Sequence, residues 1–184
     1  WMQREQAIRF PEAKNKHWTC HVTTYACTGP DTIPIEKPSE VRSPDGQLIA
    51  YERDGNLYVR PAAGGAEQRL TNDGTPEWGY GLNNIGCCQQ VTNKRNKVEV
   101  RPYVLWSPDS KHLVTHKWDQ RNVRMMHLLE TKNPGPILHS YRYALPGDSI
   151  IPQWELYVVD VGARQAVKVS RPPVEAVNTS CCWH

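Results

Sequence analysis

The residues of this 184-residue chain with the most evident chemistry are six cysteines and seven histidines. Cys20, Cys27, Cys87, Cys88, Cys181 and Cys182 fit the disulfide framework of an exported protein, but many full pairings are open and spacing selects none. Neither Cys87-Cys88 nor Cys181-Cys182 makes the Cys-x-x-Cys hook of structural zinc or thioredoxin-like sites. His17, Cys20, His21 and Cys27 bring soft ligands close together. Ordinary buried or bridged cysteines explain them as well, so no metal and no cofactor is expected. Asn178-Thr179-Ser180 is a glycosylation sequon that matters only in an exported eukaryotic protein.

Charge narrows the partners. With 22 Lys and Arg against 19 Asp and Glu, the net charge of +3 demands no acidic partner. Only Lys94–Arg101 is locally basic, and it reads as a solvated loop. A nucleic-acid surface needs basic residues interleaved with stacking aromatics, and none is organised so. No apolar run approaches the roughly 18 residues of a membrane span, and Trp1-Met2-Gln3-Arg4-Glu5 has no apolar signal core. Beginning at Trp1 suggests a processed or truncated chain, so that start says little about export.

The elements that must position any site are short strands. Fifteen Pro, 12 Gly, 7 Trp and 8 Tyr against one Phe, with a low mean hydropathy of −0.65, predict an all-β chain rich in turns. Residues 1–40 carry Pro11, Pro30, Pro34 and Pro38 with weak periodicity and read as an entry segment or irregular strands. From Val41 the pattern sharpens. Ser43-Pro44-Asp45-Gly46 is a turn, because Pro presets φ, Asp bonds the following backbone and Gly accepts positive φ. A strand over 47–52, a hairpin turn at Arg53-Asp54-Gly55-Asn56, a strand over 57–60 and a third over 67–71 follow.

The same grammar returns at Ser107-Pro108-Asp109-Ser110, 64 positions later, with strands over 111–116 and 123–128. That offset exceeds one propeller blade of about 40–50 residues, which predicts an insertion in Asn72–Arg101. Glu155-Leu156-Tyr157-Val158-Val159 echoes Asn56-Leu57-Tyr58-Val59-Arg60 and marks either a third half-blade or an insertion into the second blade. The expectation is a partial β-propeller of two to three antiparallel blades over 41–170, with a tail over 171–184. A propeller needs at least about four blades to close, so the chain reads as part of something longer.

The succession Ser43 to Tyr51, Asp54 to Val59 and Leu70-Thr71-Asn72-Asp73-Gly74, then Trp106 to Leu113, His139 to Asp148 and Leu156 to Val161, resembles the N-terminal propeller of dipeptidyl-peptidase IV-like serine peptidases. The resemblance covers about 40–170 and implies a propeller that restricts access to an α/β-hydrolase domain and helps to hold a peptide. Catalysis in that family uses a serine on a Gly-x-Ser-x-Gly elbow followed by Asp and His. No serine here, Ser107, Ser149 and Ser180 included, is so flanked, and no catalytic residue is assigned.

Members that remove dipeptides hold the substrate ammonium with paired glutamates after an Asp-Trp-x-Tyr-like segment. The matching stretch, Glu77-Trp78-Gly79-Tyr80, lacks the pair. Glu77, Trp78, Tyr80, Arg142 and Tyr143 are the candidate substrate contacts the resemblance implies, each with a structural alternative. Glu77 is suited to cover a strand, the aromatic pair to pack between blades, and Arg142-Tyr143 to orient a crossing strand. The function expected is a non-catalytic propeller portion of a prolyl-oligopeptidase-type peptidase. Its partners are a peptide substrate and a downstream hydrolase domain, with a homo-oligomer left open. A periplasmic or secreted location is favoured over the cytoplasm. The alternative is a freestanding interaction module of the TolB or WD-repeat type.

Overall fold

The computed structural model describes residues 7–13, 16–32, 37–83, 87–132 and 135–175. The chain divides into two compact units, Trp1–Lys37 and Pro38–His184. In the first, β1 (Ala7–Ala13), β2 (Lys16–His21) and β3 (Cys27–Thr32) form an antiparallel three-stranded sheet. Cys20 and Cys27 face each other in the β2–β3 ladder and are joined by a disulfide, so neither is available as a metal-binding thiolate. Cys181, Cys182 and the 178–180 sequon lie outside the described residues.

The second unit holds two repeats of one turn. Gly46 N donates to Ser43 O (2.9 Å), Asp45 Oδ1 accepts from Ser43 Oγ and Gln47 N (2.6 and 3.0 Å), and Ser43 exchanges bonds with Leu48 through its amide and hydroxyl. Ser107, Asp109, Ser110, Lys111 and His112 repeat every one of these bonds. Gly46 and Ser110 occupy the same left-handed position, at φ 75 and 60°. The Ser110 hydroxyl also accepts a bond from Asp45 N (3.1 Å), so the copies touch.

The first turn lies between β4 (Glu40–Arg42) and β5 (Leu48–Arg53), which continue through β6 (Asn56–Pro61) and β7 (Gln68–Arg69) as a four-stranded meander. Asp54 and Gly55, both at positive φ, close the β5–β6 hairpin in a primed turn that matches strand twist. β8 (Trp78–Tyr80) comes next. The 87–101 stretch holds α1 (Cys87–Asn96), a helix that the strand-like sequence reading did not anticipate. Lys94 and Arg95 therefore stand on its last turn, where they complement the helix dipole, instead of in a loop. Lys97, at φ 51°, ends the helix with bonds from Lys97 N to Lys94 O and Val98 N to Asn93 O, a Schellman closure.

The second blade is built on one long antiparallel ladder. β10 (His112–Asp119) pairs with β13 (Gln153–Asp160) over eight residues. On the outer edge of β10 lie β9 (Val104–Trp106) at one end and β8 at the other. On the outer edge of β13 lie β14 (Gln165–Lys168) and β15 (Val174–Glu175). β11 (Met125–Glu130) and β12 (Ile137–Arg142) pair only with each other among the described strands. The echo of 56–60 in 155–159 thus marks the third strand of the second blade, and β11–β12 is the inserted pair.

Strand alternation gives β10 two faces. Leu113, Thr115 and Lys117 point toward the first blade, where Leu113 joins Val41, Ala50, Leu57, Val59, Leu70, Tyr80, Val104 and Val159 in one shared core. Trp106 crosses it and donates its indole N–H to Val41 O (3.0 Å). Val114, His116 and Trp118 point the other way and, with Leu105, Trp154 and Leu156, line an apolar groove of about 370 Å³. Leu105 is 72% exposed there.

Two glycines separate backbone strain from crowding. A Cβ at Gly46 meets nothing within 4 Å, whereas at Gly55 it falls 2.2 Å from Thr75 O. Urea denaturation is expected to show Gly46→Ala costing about 1–2 kcal/mol and Gly55→Ala roughly 2–5 kcal/mol. Burial holds the His116 imidazole below its ordinary pKa against the raising effect of its bond to Leu82 O (2.9 Å). The neutral form is the one that folds, so its stabilisation is present above about pH 6.5 and is lost as the pH falls toward the depressed folded value. Melting profiles between pH 7.5 and 5 are expected to flatten in His116→Phe.

Candidate functional site

The loop after β7 is fastened by one buried amide. Asn56 Nδ2 donates to Gly74 O (2.9 Å), and Asn56 Oδ1 accepts from Gly74 N and Thr71 Oγ1. This fixes Asp73 beside β8. In the β8–β10 ladder Tyr80 faces Lys117 and Trp78 faces Asp119, so Trp78, Tyr80 and Lys117 lie on one face. The Lys117 side chain has no exposed area. Its Nζ lies 2.6 Å from Asp73 Oδ2, 3.3 Å from the Trp78 ring centroid and 4.6 Å from that of Tyr80.

Burial alone would raise the Asp73 carboxyl, but bonds from Lys117 and the Tyr80 hydroxyl hold it below the ordinary carboxylate range. Burial, then the bond to Asp73, pushes the Tyr80 phenol far above its usual value. The Arg121 guanidinium, paired with Asp119 at 2.6 Å, also stands 4.2 Å from the Trp78 ring. Asp73 and Tyr80 open on a cleft of about 630 Å³ between the blades, lined also by Arg69, Asn72 and Arg164.

Of the residues singled out in the sequence, Glu77 and Arg142 meet directly. Arg142 donates through Nε and Nη2 to the two Glu77 carboxylate oxygens (3.0 and 3.2 Å) and through Nη1 to Val123 O (2.7 Å). The fork ties the β11–β12 insertion to the turn before β8. Tyr143 bonds through its backbone to Arg124 O, and its ring lies 6.5 Å from that of Tyr141. Arg124 pairs with Asp148, which closes the 145–148 turn by accepting from Leu145 N.

The expected aromatic pair is thus brought together, but around an internal cation that the sequence reading passed over. Its signal was present: Lys117 occupies a core-facing place in the Leu113, Thr115 alternation, where an unpaired charge would not be tolerated. Ser107 serves its turn, and Ser149 lies in a separate shallow cleft with Ile150 and Gln153. Ser180 falls outside the described residues. Ser140 Oγ lies 2.9 Å from His127 Nδ1 as a cross-strand neighbour on the exposed hairpin.

The Glu77–Arg142 pair is partly open to water, with Glu77 41% exposed. A double-mutant cycle with Glu77→Gln and Arg142→Met in urea is expected to return a coupling of about 0.5–1 kcal/mol. A value of zero would mean the fork does not hold in solution.

Among solved structures, the chain is similar to dipeptidyl peptidase 4 of Porphyromonas gingivalis, with 19% identity and a TM-score of 0.57 over 94% of this chain and 23% of that one. It is also similar to a putative dipeptidyl aminopeptidase IV of Bacteroides ovatus, with 16% identity and a TM-score of 0.53 over 92% of this chain and 21% of that one. At these identities the likeness concerns the fold. TolB of Acinetobacter baumannii, at 12% identity, 88% of this chain and 39% of that one, reaches a TM-score of only 0.27 and carries no argument. No curated protein matches the chain. It spans less than a quarter of the two similar peptidase chains. Residues 12–180 match the model of the dipeptidyl peptidase IV N-terminal region, and with that match, the two-blade sheet topology and the shared propeller fold, the chain belongs to that family.

Proposed function

We propose that this chain is the non-catalytic propeller portion of a serine peptidase, where it gates and positions peptides for an α/β-hydrolase domain elsewhere in the parent. The family match over residues 12–180 carries this reading. The site supports it chemically, since its charged groups are organised for holding. The Glu77–Arg142 fork and the Lys117–Asp73 pair are spent on internal partners, and the Ser107 hydroxyl beside His112 and Asp109 is spent on its turn, donating to Asp109 and accepting from the His112 main-chain amide.

Within this reading, peptide contact falls to Glu77 and Tyr143, both partly exposed, while the rings of Trp78 and Tyr80 are turned to Lys117. The Cys20–Cys27 disulfide favours an oxidising compartment, periplasmic or secreted.

The chain alone is expected to resist labelling by a fluorophosphonate and to leave chromogenic dipeptide substrates intact. Its complete reading frame is expected to encode a Gly-x-Ser-x-Gly elbow with later Asp and His, and a frame that ends after further blades would sink the proposal. In the parent enzyme, Tyr143→Ala is expected to raise KM for a peptide substrate about threefold to tenfold, with kcat changed less.

A further inference from the structure

Lys117 is the largest side chain fully enclosed among the described residues. Its ammonium carries three hydrogens. Asp73 accepts through Oδ2 at 2.6 Å and through its main-chain carbonyl at 3.3 Å. The remaining side of the ammonium faces the rings of Trp78 at 3.3 Å and Tyr80 at 4.6 Å. A carboxylate, a carbonyl and two aromatic faces are the parts with which proteins recognise a ligand ammonium.

We propose that Asp73, Trp78 and Tyr80 form a primary-ammonium box whose resident ligand is Lys117. The box is closed to external amines while that side chain fills it and takes up an alkylammonium once the side chain is cut back. An outside ligand has a route in, because Asp73 is half exposed and, with Tyr80, lines the cleft of about 630 Å³.

Self-occupancy has a consequence for selection. An amine that enters the cleft meets Arg69 and Arg164 on its walls and a carboxylate whose charge is already matched. The cleft therefore discriminates against free ammonium groups, and Lys117 is the residue that sets this. The assignment concerns binding by this chain and stands whether or not the parent is a peptidase.

The test uses the chain with Lys117→Ala and Lys117→Met, and n-butylammonium as the probe with n-butanol as its uncharged counterpart. Lys117→Ala is expected to melt below the unsubstituted chain. Millimolar affinity would let 20 mM n-butylammonium raise its midpoint by about 3 °C or more. n-Butanol is expected to leave it unchanged, and neither compound is expected to move the unsubstituted chain or Lys117→Met. Equal response to amine and alcohol, no response, or the same shift in the unsubstituted chain overturns the proposal.

If Lys117→Ala does not fold, Lys117→Met decides. Stability equal to or above that of the unsubstituted chain shows that the stem alone suffices and overturns the box. Lower stability, with Asp73→Asn costly in the Lys background and silent in the Met background, upholds it. Asp73→Asn that costs the same in both backgrounds overturns it.

Discussion

A sheet of four short strands has two faces and too little material to bury either by itself. In this chain the two blades meet this constraint by sharing one core, in which Leu57 and Val59 from the first blade lie against Leu113 and Val159 from the second, all nearly or wholly inaccessible to water. The rest of the second unit follows from that contact. Trp106 can reach Val41 O, and Asp45 N can reach the Ser110 hydroxyl, only because the sheets are pressed together. The glycines at 55, 74 and 79 are required because main chain meets main chain where the first hairpin abuts the turn before β8. The far face of the second sheet keeps the same apolar character, as expected of a fold in which each blade is sandwiched between neighbours.

Placing a lysine on the core side of β10 would be expensive without compensation, and the surrounding groups are arranged to provide it. Asp73 is delivered by a loop that Asn56 pins through Gly74 and Thr71, and the aromatic faces come from β8, which pairs with the same end of β10. The candidate site is therefore a fastening as much as a surface. The fork between Glu77 and Arg142 extends the fastening to the inserted hairpin, which has no ladder to either blade among the described strands.

Much of the first blade is legible in the sequence, because its signals are local. Pro44, Asp45 and Gly46 make a turn through bonds within five residues, and Asp54-Gly55 makes a hairpin by backbone preference alone. Helix α1 could not be read this way. Cys-Cys-Gln-Gln-Val-Thr-Asn has no amphipathic stripe and no acidic first turn, and what holds it is Val91 buried on one side and Arg95 reaching Glu130 thirty-five positions away. The extra length of Asn72–Arg101, which holds β8 and α1, was legible as a spacing too long for one blade. The assignment of 155–159 was not, because a strand's sequence does not say which neighbour it will pair with.

By itself, then, the order of residues determined the all-β character, the two repeated turns, the family resemblance over the blades and the lack of a serine elbow. Each depends on neighbours along the chain or on a short motif. The tertiary structure decided that β13 completes the second blade while β11–β12 stands apart, that Glu77 and Arg142 are partners, and that Trp78 and Tyr80 enclose Lys117. Apart from the local β11–β12 pairing, these outcomes rest on contacts across 34 to 65 positions, such as Asp119 with Gln153 and Arg142 with Glu77, which form only once burial of the shared core has brought distant strands into register.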